Sequence, residues 1–129
     1  MTNPRTRARI EARIRERAAY CIEFELNDPR STFITVTRVE VSPDLSVAKI
    51  YYSVLGDKSE RSLAEHMLAD ASGFIRKQVG RVLRTRRIPR LAWFYDESIE
   101  IQEDMERRIA EALVRDRDVN PNAHDDDGE

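Results

Sequence analysis

The sequence predicts an α+β domain in which helices cover one face of a small mixed three-stranded sheet. Three observations carry that reading. Apolar residues recur every three or four positions in several separate stretches, the spacing that gives a helix one buried face. Two runs rich in β-branched residues, 33–41 and 47–55, flank the turn sequence Ser42-Pro43-Asp44, which makes them an antiparallel hairpin. A third apolar run, Leu91 to Tyr95, follows only after a long helical region, so a crossover joins it and it can lie parallel to a hairpin strand. The predicted order is α-β-β-α-α-β, with one more helix at the C-terminal end.

Each element has a local cause. From Arg5 to about Leu26, the residues Ile10, Ile14, Ala18, Ile22 and Leu26 fall at four-residue intervals, with Cys21 alongside. Pro29 cannot continue that helix and pushes Asp28 out of the helical region. In the second strand Ala48, Ile50, Tyr52 and Val54 share one face, which predicts that Tyr52 packs and leaves Tyr51 open. Gly56-Asp57-Lys58 reads as a turn, with Ser59 as N-cap of a helix that turns Leu63, Met67 and Leu68 inward. The pair Ser72-Gly73 then predicts a kink at Ala71-Ser72-Gly73, since Gly/Ser pairs are a known cause of helix bends. A second helix follows, with Phe74, Ile75, Val79, Val82 and Leu83 as its apolar residues. Trp93 and Phe94, adjacent in the third strand, point to opposite faces of the sheet. The last helix starts near Ser98, with Ile101, Met105, Ile109 and Leu113 as its stripe. The organisation expected is a domain over 1–100, an acidic helix over 101–115 and a disordered acidic tail over 116–129.

A chain of 129 residues suits one domain with a modest core. A single cysteine excludes an internal disulfide framework and fits a reducing compartment. No apolar run approaches the roughly 20 residues of a membrane span, and no secretory signal is visible, so a soluble cytoplasmic protein is expected. The four glycines build no phosphate-binding loop and no dinucleotide fingerprint. His66 has no Cys or His at metal-ligand spacing, and Cys21 lies on a buried stripe as a small apolar residue does. No cofactor, no metal and no catalytic residue is predicted, and the chain is read as a non-enzyme.

Charge is more informative. Residues 1–95 hold 18 Lys+Arg and 11 Asp+Glu, a net +7, while residues 96–129 hold 4 and 13, a net −9. The basic side concentrates in two patches. Phe74 to Arg90 contains Arg76, Lys77, Arg81, Arg84, Arg86, Arg87 and Arg90 with no acidic residue among them, and Arg5, Arg7, Arg9 and Arg13 crowd the start of the first helix. These are the candidate RNA-binding residues, since clustered arginines pair with phosphates and stack on exposed bases. A solvated amphipathic helix that happens to be Arg-rich is the plainer account. A protein-interaction module and a DNA-binding helix-turn-helix protein are competing functional readings, the latter because Arg76 and Lys77 could reach base edges. The +7/−9 split further predicts that the acidic tail competes with RNA for the basic arm.

The order α-β-β-α-α-β with a helix-kink-helix resembles the K-homology (KH) RNA-binding fold of the second type, although Ala71-Ser72-Gly73 stands where its GXXG loop would be. That departure makes the resemblance more specific. Asp28-Pro29-Arg30, the stretch from Ile34 to Ser46, Ala48 to Gly56, Ala71 to Lys77, Arg87 to Leu91 and Phe94 to Ser98 are together similar to the bacterial ribosome-binding factor A family, over about residues 5–100. The resemblance implies a KH-like fold with an Ala-X-Gly kink and binding to the 30S ribosomal subunit and its 16S RNA; a monomer is expected separately, because every strong hydrophobic stripe except the last helix lies within residues 1–100. The resemblance also implies help with late small-subunit maturation and 5′-end RNA processing, support of growth in the cold, and no enzymatic activity. The acidic extension beyond Glu100 lies outside the shared pattern.

Overall fold

The computed structural model describes residues 3–31 and 33–119, and it divides into two compact units, Met1–Asp96 and Glu97–Glu129. In the first unit α1 (Pro4–Tyr20) starts at Asn3, whose side chain accepts the Arg5 amide at 2.8 Å, and Pro4 occupies the first turn, where its missing N–H costs nothing. The helix runs on as one π-helical turn, Cys21–Glu25, closed by the Leu26 amide donating to the Cys21 carbonyl at 3.1 Å. Asn27 ends it with φ 52°, a left-handed conformation that Asn tolerates better than most side chains. A 3₁₀ turn at Pro29–Ser31 follows, in which the Asp28 carboxylate accepts from the Arg30 backbone and guanidinium.

Strands β1 (Ile34–Val41) and β2 (Val47–Val54) form the predicted antiparallel hairpin, with a bulge between Val36 and Arg38. Strand β3 (Arg90–Tyr95) pairs parallel to β2 in the order β1-β2-β3, matching Ala48 with Leu91, Ile50 with Trp93 and Tyr52 with Tyr95. That face meets the helices. Ile14, Ala18 and Cys21 of the first helix, Ile50 of the sheet, and Met67, Leu68, Ile75 and Val79 of the crossover form the dry centre of the core. Tyr52 is buried edge-on against Tyr95, as its place in the strand predicts.

The crossover departs from the sequence reading. The two helices expected around Ala71-Ser72-Gly73 are one 25-residue helix, α2 (Lys58–Val82). A Cβ placed at Gly73 would meet nothing within 4 Å, and Gly73 has no positive φ, so neither packing nor backbone forces a break there. Glycine inside a helix costs about 1 kcal/mol relative to alanine. Burying Ile75 and Val79 just beyond it contributes about 1.5–3 kcal/mol each, so the helix continues. Asp57, not Ser59, is the N-cap. Its extended backbone lets its side chain accept the Glu60 amide at 3.0 Å, which leaves Ser59 inside the first turn. Leu63, expected inward, is exposed, and Ala64 takes the buried position beside it. Gly80 makes room for the Ile88 side chain, whose terminal methyl would have to move if a Cβ were added.

In the second unit α3 spans Ser98–Val119, so its backbone runs past residue 115. Asp104 pairs with Arg108 at 3.0 Å along it. The tail predicted to be disordered lies, from residue 120 on, outside the described residues.

Candidate nucleic-acid interface

The site is built where α1 meets the C-terminal half of α2. The Arg17 guanidinium fastens the two helices together. It donates to both carboxylate oxygens of Glu25, at 2.5 and 3.2 Å, and to the Gln78 side-chain oxygen on α2 at 3.1 Å. The π-helical turn matters here, because its extra residue changes the phase that a plain α-helix would give Glu25 relative to Arg17. The hydrogen bond from Arg17 holds the Glu25 carboxyl below its ordinary range, and Glu25 in turn raises the Arg17 guanidinium. Gln78 is one of two buried polar residues among those described, and this bond satisfies it.

With α1 and α2 fixed side by side, the two basic patches meet. Arg5, Arg9 and Arg13 recur at four-residue spacing, form one exposed stripe on α1 and make no ion pair among the described residues. Lys77 and Arg81, four apart, form a matching exposed stripe on α2, and Arg84, Arg86 and Arg87 are exposed in the segment after Leu83. Arg13 of the first stripe and Val82 of the second helix line a common slot of about 440 Å³, together with Glu16, Arg17 and Tyr20.

Three predicted residues do not join this surface in the same way. Arg7 is half-buried and lies off the α1 stripe, toward Glu11, whose carboxylate accepts the Val41 amide of β1 at 2.8 Å. Arg76 is exposed, but its guanidinium donates to the Pro89 carbonyl at 3.1 Å and to the Ile88 carbonyl at 2.8 Å, bracing the segment that carries Arg84 to Arg87. Arg90 opens β3 at a position that alternates with the buried Leu91, so it projects from the sheet face opposite the helices. Ala71, Ser72 and Gly73 sit within α2, where the Ser72 hydroxyl accepts the Trp93 indole N–H at 3.1 Å and ties β3 to the helix.

Other features contribute less to anion binding. The larger cavity, about 730 Å³, runs between the π-helical turn and β1, with Glu23 and Asp28 in its lining and no cation. Burial pushes the Cys21 thiol up to about 11, with the Glu25 charge adding to the effect, so it is a poor nucleophile. Among the described residues no three His, Cys, Asp or Glu side chains gather to hold a metal ion. No helix there is long and apolar enough to cross a membrane.

Sequence reasoning found the arginines but missed Tyr20, Phe24 and Gln78. Tyr20 and Phe24 are exposed, with ring centroids 5.0 Å apart, and the Arg17 guanidinium lies 5.4 Å from the Tyr20 ring centre. Two aromatic residues four apart and off the core stripe were the available signal.

A mixed β-β-α-β sheet covered by a basic helix pair defines a KH-like module that presents cations from its helices rather than from a glycine loop. The ribosome-binding factor A family model matches residues 6–109. The ribosome-binding factor A of Pelobacter propionicus is 41% identical over 106 residues, covering 81% of this chain and 87% of that protein. The crystal structure of the Thermus thermophilus ribosome-binding factor A superposes with a TM-score of 0.61 at 30% identity, over 69% of this chain and 94% of that one. The same Thermus factor, as a homology model fitted into a cryo-EM map of its complex with the 30S subunit, matches with a TM-score of 0.58 at 30% identity, over 70% and 96% of the two chains. The chain belongs to the ribosome-binding factor A family.

Proposed function

We propose that this protein binds the 30S ribosomal subunit through the phosphates of its 16S RNA, and that it assists late maturation of the subunit and processing of the RNA 5′ end by binding rather than by catalysis. The observation that carries the reading is the convergence of two arginine stripes, from α1 and α2, on one surface where cations outnumber carboxylates. Family membership and the 30S complex of the Thermus relative support the choice of partner. The Arg17 clamp gives the surface a fixed width, which suits recognition of structured RNA by shape and backbone. A helix-turn-helix reader of duplex DNA needs a turn between two helices, and α2 has none.

The test is a salt-resolved pulldown with immature 30S particles, mature 30S subunits and duplex DNA. Retention on immature particles at salt that releases DNA is expected. Equal retention on duplex DNA would contradict the reading, and retention on particles stripped of RNA would move the interaction to ribosomal proteins.

A further inference from the structure

The slot between α1 and α2 has a composition that phosphate binding does not use. It is shallow and is lined by Tyr20, Val82, Arg13, Arg17 and Glu16. Tyr20 is 52% exposed, yet it is not loose. Phe24 packs against it with an interplanar angle of 48°, and Arg17, itself held by Glu25 and Gln78, lies over its ring. A half-exposed aromatic ring held by its neighbours is a preorganised stacking surface, and it costs little entropy to use.

We propose that this slot seats one unstacked nucleobase of the bound RNA, with the base lying on Tyr20 against Val82 and presenting an N–H to Glu16. The idea rests on the phosphate-binding reading above, because the same strand must place its backbone on Arg13 and on Arg81 or Arg84. Three features select a base over an apolar side chain from a protein. The slot opens beside the exposed Arg9, Arg13 and Arg81, which favour a polyanion. Its flat aromatic wall suits a ring. Its one carboxylate accepts the ring or amino N–H that guanine, adenine, cytosine and uracil all carry, whereas an aliphatic side chain would leave that carboxylate partly desolvated without a partner. Recognition of an unpaired base would direct the factor to single-stranded or loop RNA within a particle whose duplex phosphates are otherwise alike.

The experiment uses the full chain and single-stranded RNA of about ten nucleotides, with 2-aminopurine substituted at successive positions, alongside RNA-bearing 30S particles. Tyr20→Ala and Val82→Phe, the second filling the slot, should each weaken RNA binding about tenfold and abolish the 2-aminopurine fluorescence change. The slope of log affinity against log salt should stay as in the unmodified protein, because the same phosphates remain neutralised. Tyr20→Phe should bind as the unmodified protein does. If Tyr20→Ala fails to fold, Val82→Phe and Tyr20→Phe still decide the matter. Unchanged RNA binding by Val82→Phe overturns the base seat and leaves phosphate binding standing. Weakened binding to whole particles alone, with RNA binding intact, overturns it in favour of a protein side chain. An unmodified protein that binds no RNA at all removes the parent reading and the seat with it.

Discussion

The two halves of α2 share one helix and one core but differ in charge. The first half, up to Ala71, mixes Lys58 and Arg61 with Glu60, Glu65 and Asp70, and buries Ala64, Met67 and Leu68. The second half buries Ile75, Gln78 and Val79, and its charged residues, Arg76, Lys77 and Arg81, are all cations. Packing is satisfied equally in both, so folding does not account for the one-sided charge of the second half. Like charges along a helix face disfavour it slightly. Arg76 is taken up by the Ile88 and Pro89 carbonyls, but Lys77 and Arg81 stay exposed and available to an external anion, and α1 brings its own exposed arginines to the same place.

The largest expected effect comes from breaking what the halves share. Ile75→Ala should destabilise the domain by about 2–5 kcal/mol, as large-to-small core substitutions do, whereas Arg81→Ala should stay within about 0.5 kcal/mol. Chemical denaturation of both variants measures the difference, and comparable destabilisation would make Arg81 part of the frame. Next comes the independence of the first unit. Among the described residues the buried core lies between Ile10 and Leu91, so a chain ending near residue 100 should melt cooperatively by circular dichroism. A broad, non-cooperative melt would assign the last helix to the core.

A smaller effect concerns the hairpin turn, where charge serves the fold. The Ser46 and Ser42 hydroxyls and the Ser46 amide hold the Asp44 carboxyl down at about 2, from an ordinary 3.8. A depressed carboxyl contributes stability in full above its unfolded value and loses it as pH falls through the folded one. Thermal melts between those two values should therefore show a decline that Asp44→Asn makes shallower, while Arg84→Ala keeps it, the remainder belonging to other depressed carboxyls such as Glu25. The smallest effect is expected from deleting residues 116–129, which should tighten binding to short RNA at low salt and change nothing at high salt. An unchanged affinity at low salt would leave the tail without a role in RNA binding.

Much of this was legible in the residues. The hairpin, the parallel third strand and the buried stripe of α1 all follow from periodicity and turn chemistry, which act locally. The arginine patches were legible as composition. Their convergence was not, because it depends on Arg17 reaching Gln78 across 61 positions and on a π-helical turn that no spacing rule announces. Ser72-Gly73 misled only as to a break between two helices. Glycine within a helix costs about 1 kcal/mol, and the burial of Ile75 and Val79 beyond it exceeds that, so one helix runs through. Asp57 displaced Ser59 as the cap because both side chains suit the position, and the backbone at Asp57 was already extended. Among the candidate site residues, Arg76 and Arg90 show what composition cannot: one is turned to bracing a loop, and the other lies on the far face of the sheet.

The central claim is that α1 and α2 present their cations as one phosphate-binding surface. The most direct measurement is the salt dependence of affinity for 30S subunits in four proteins. They are the unmodified chain, Arg5/Arg9/Arg13→Ala on α1, Arg84/Arg86/Arg87→Ala after α2, and the combination, each checked for an intact fold by circular dichroism. Each triple variant should bind more weakly and with a shallower slope of log affinity against log salt, by about 0.7 to 0.9 for every phosphate no longer neutralised. In the combined variant the two reductions in slope should add. Slopes that stay unchanged in all three variants, with folds intact, would contradict the account.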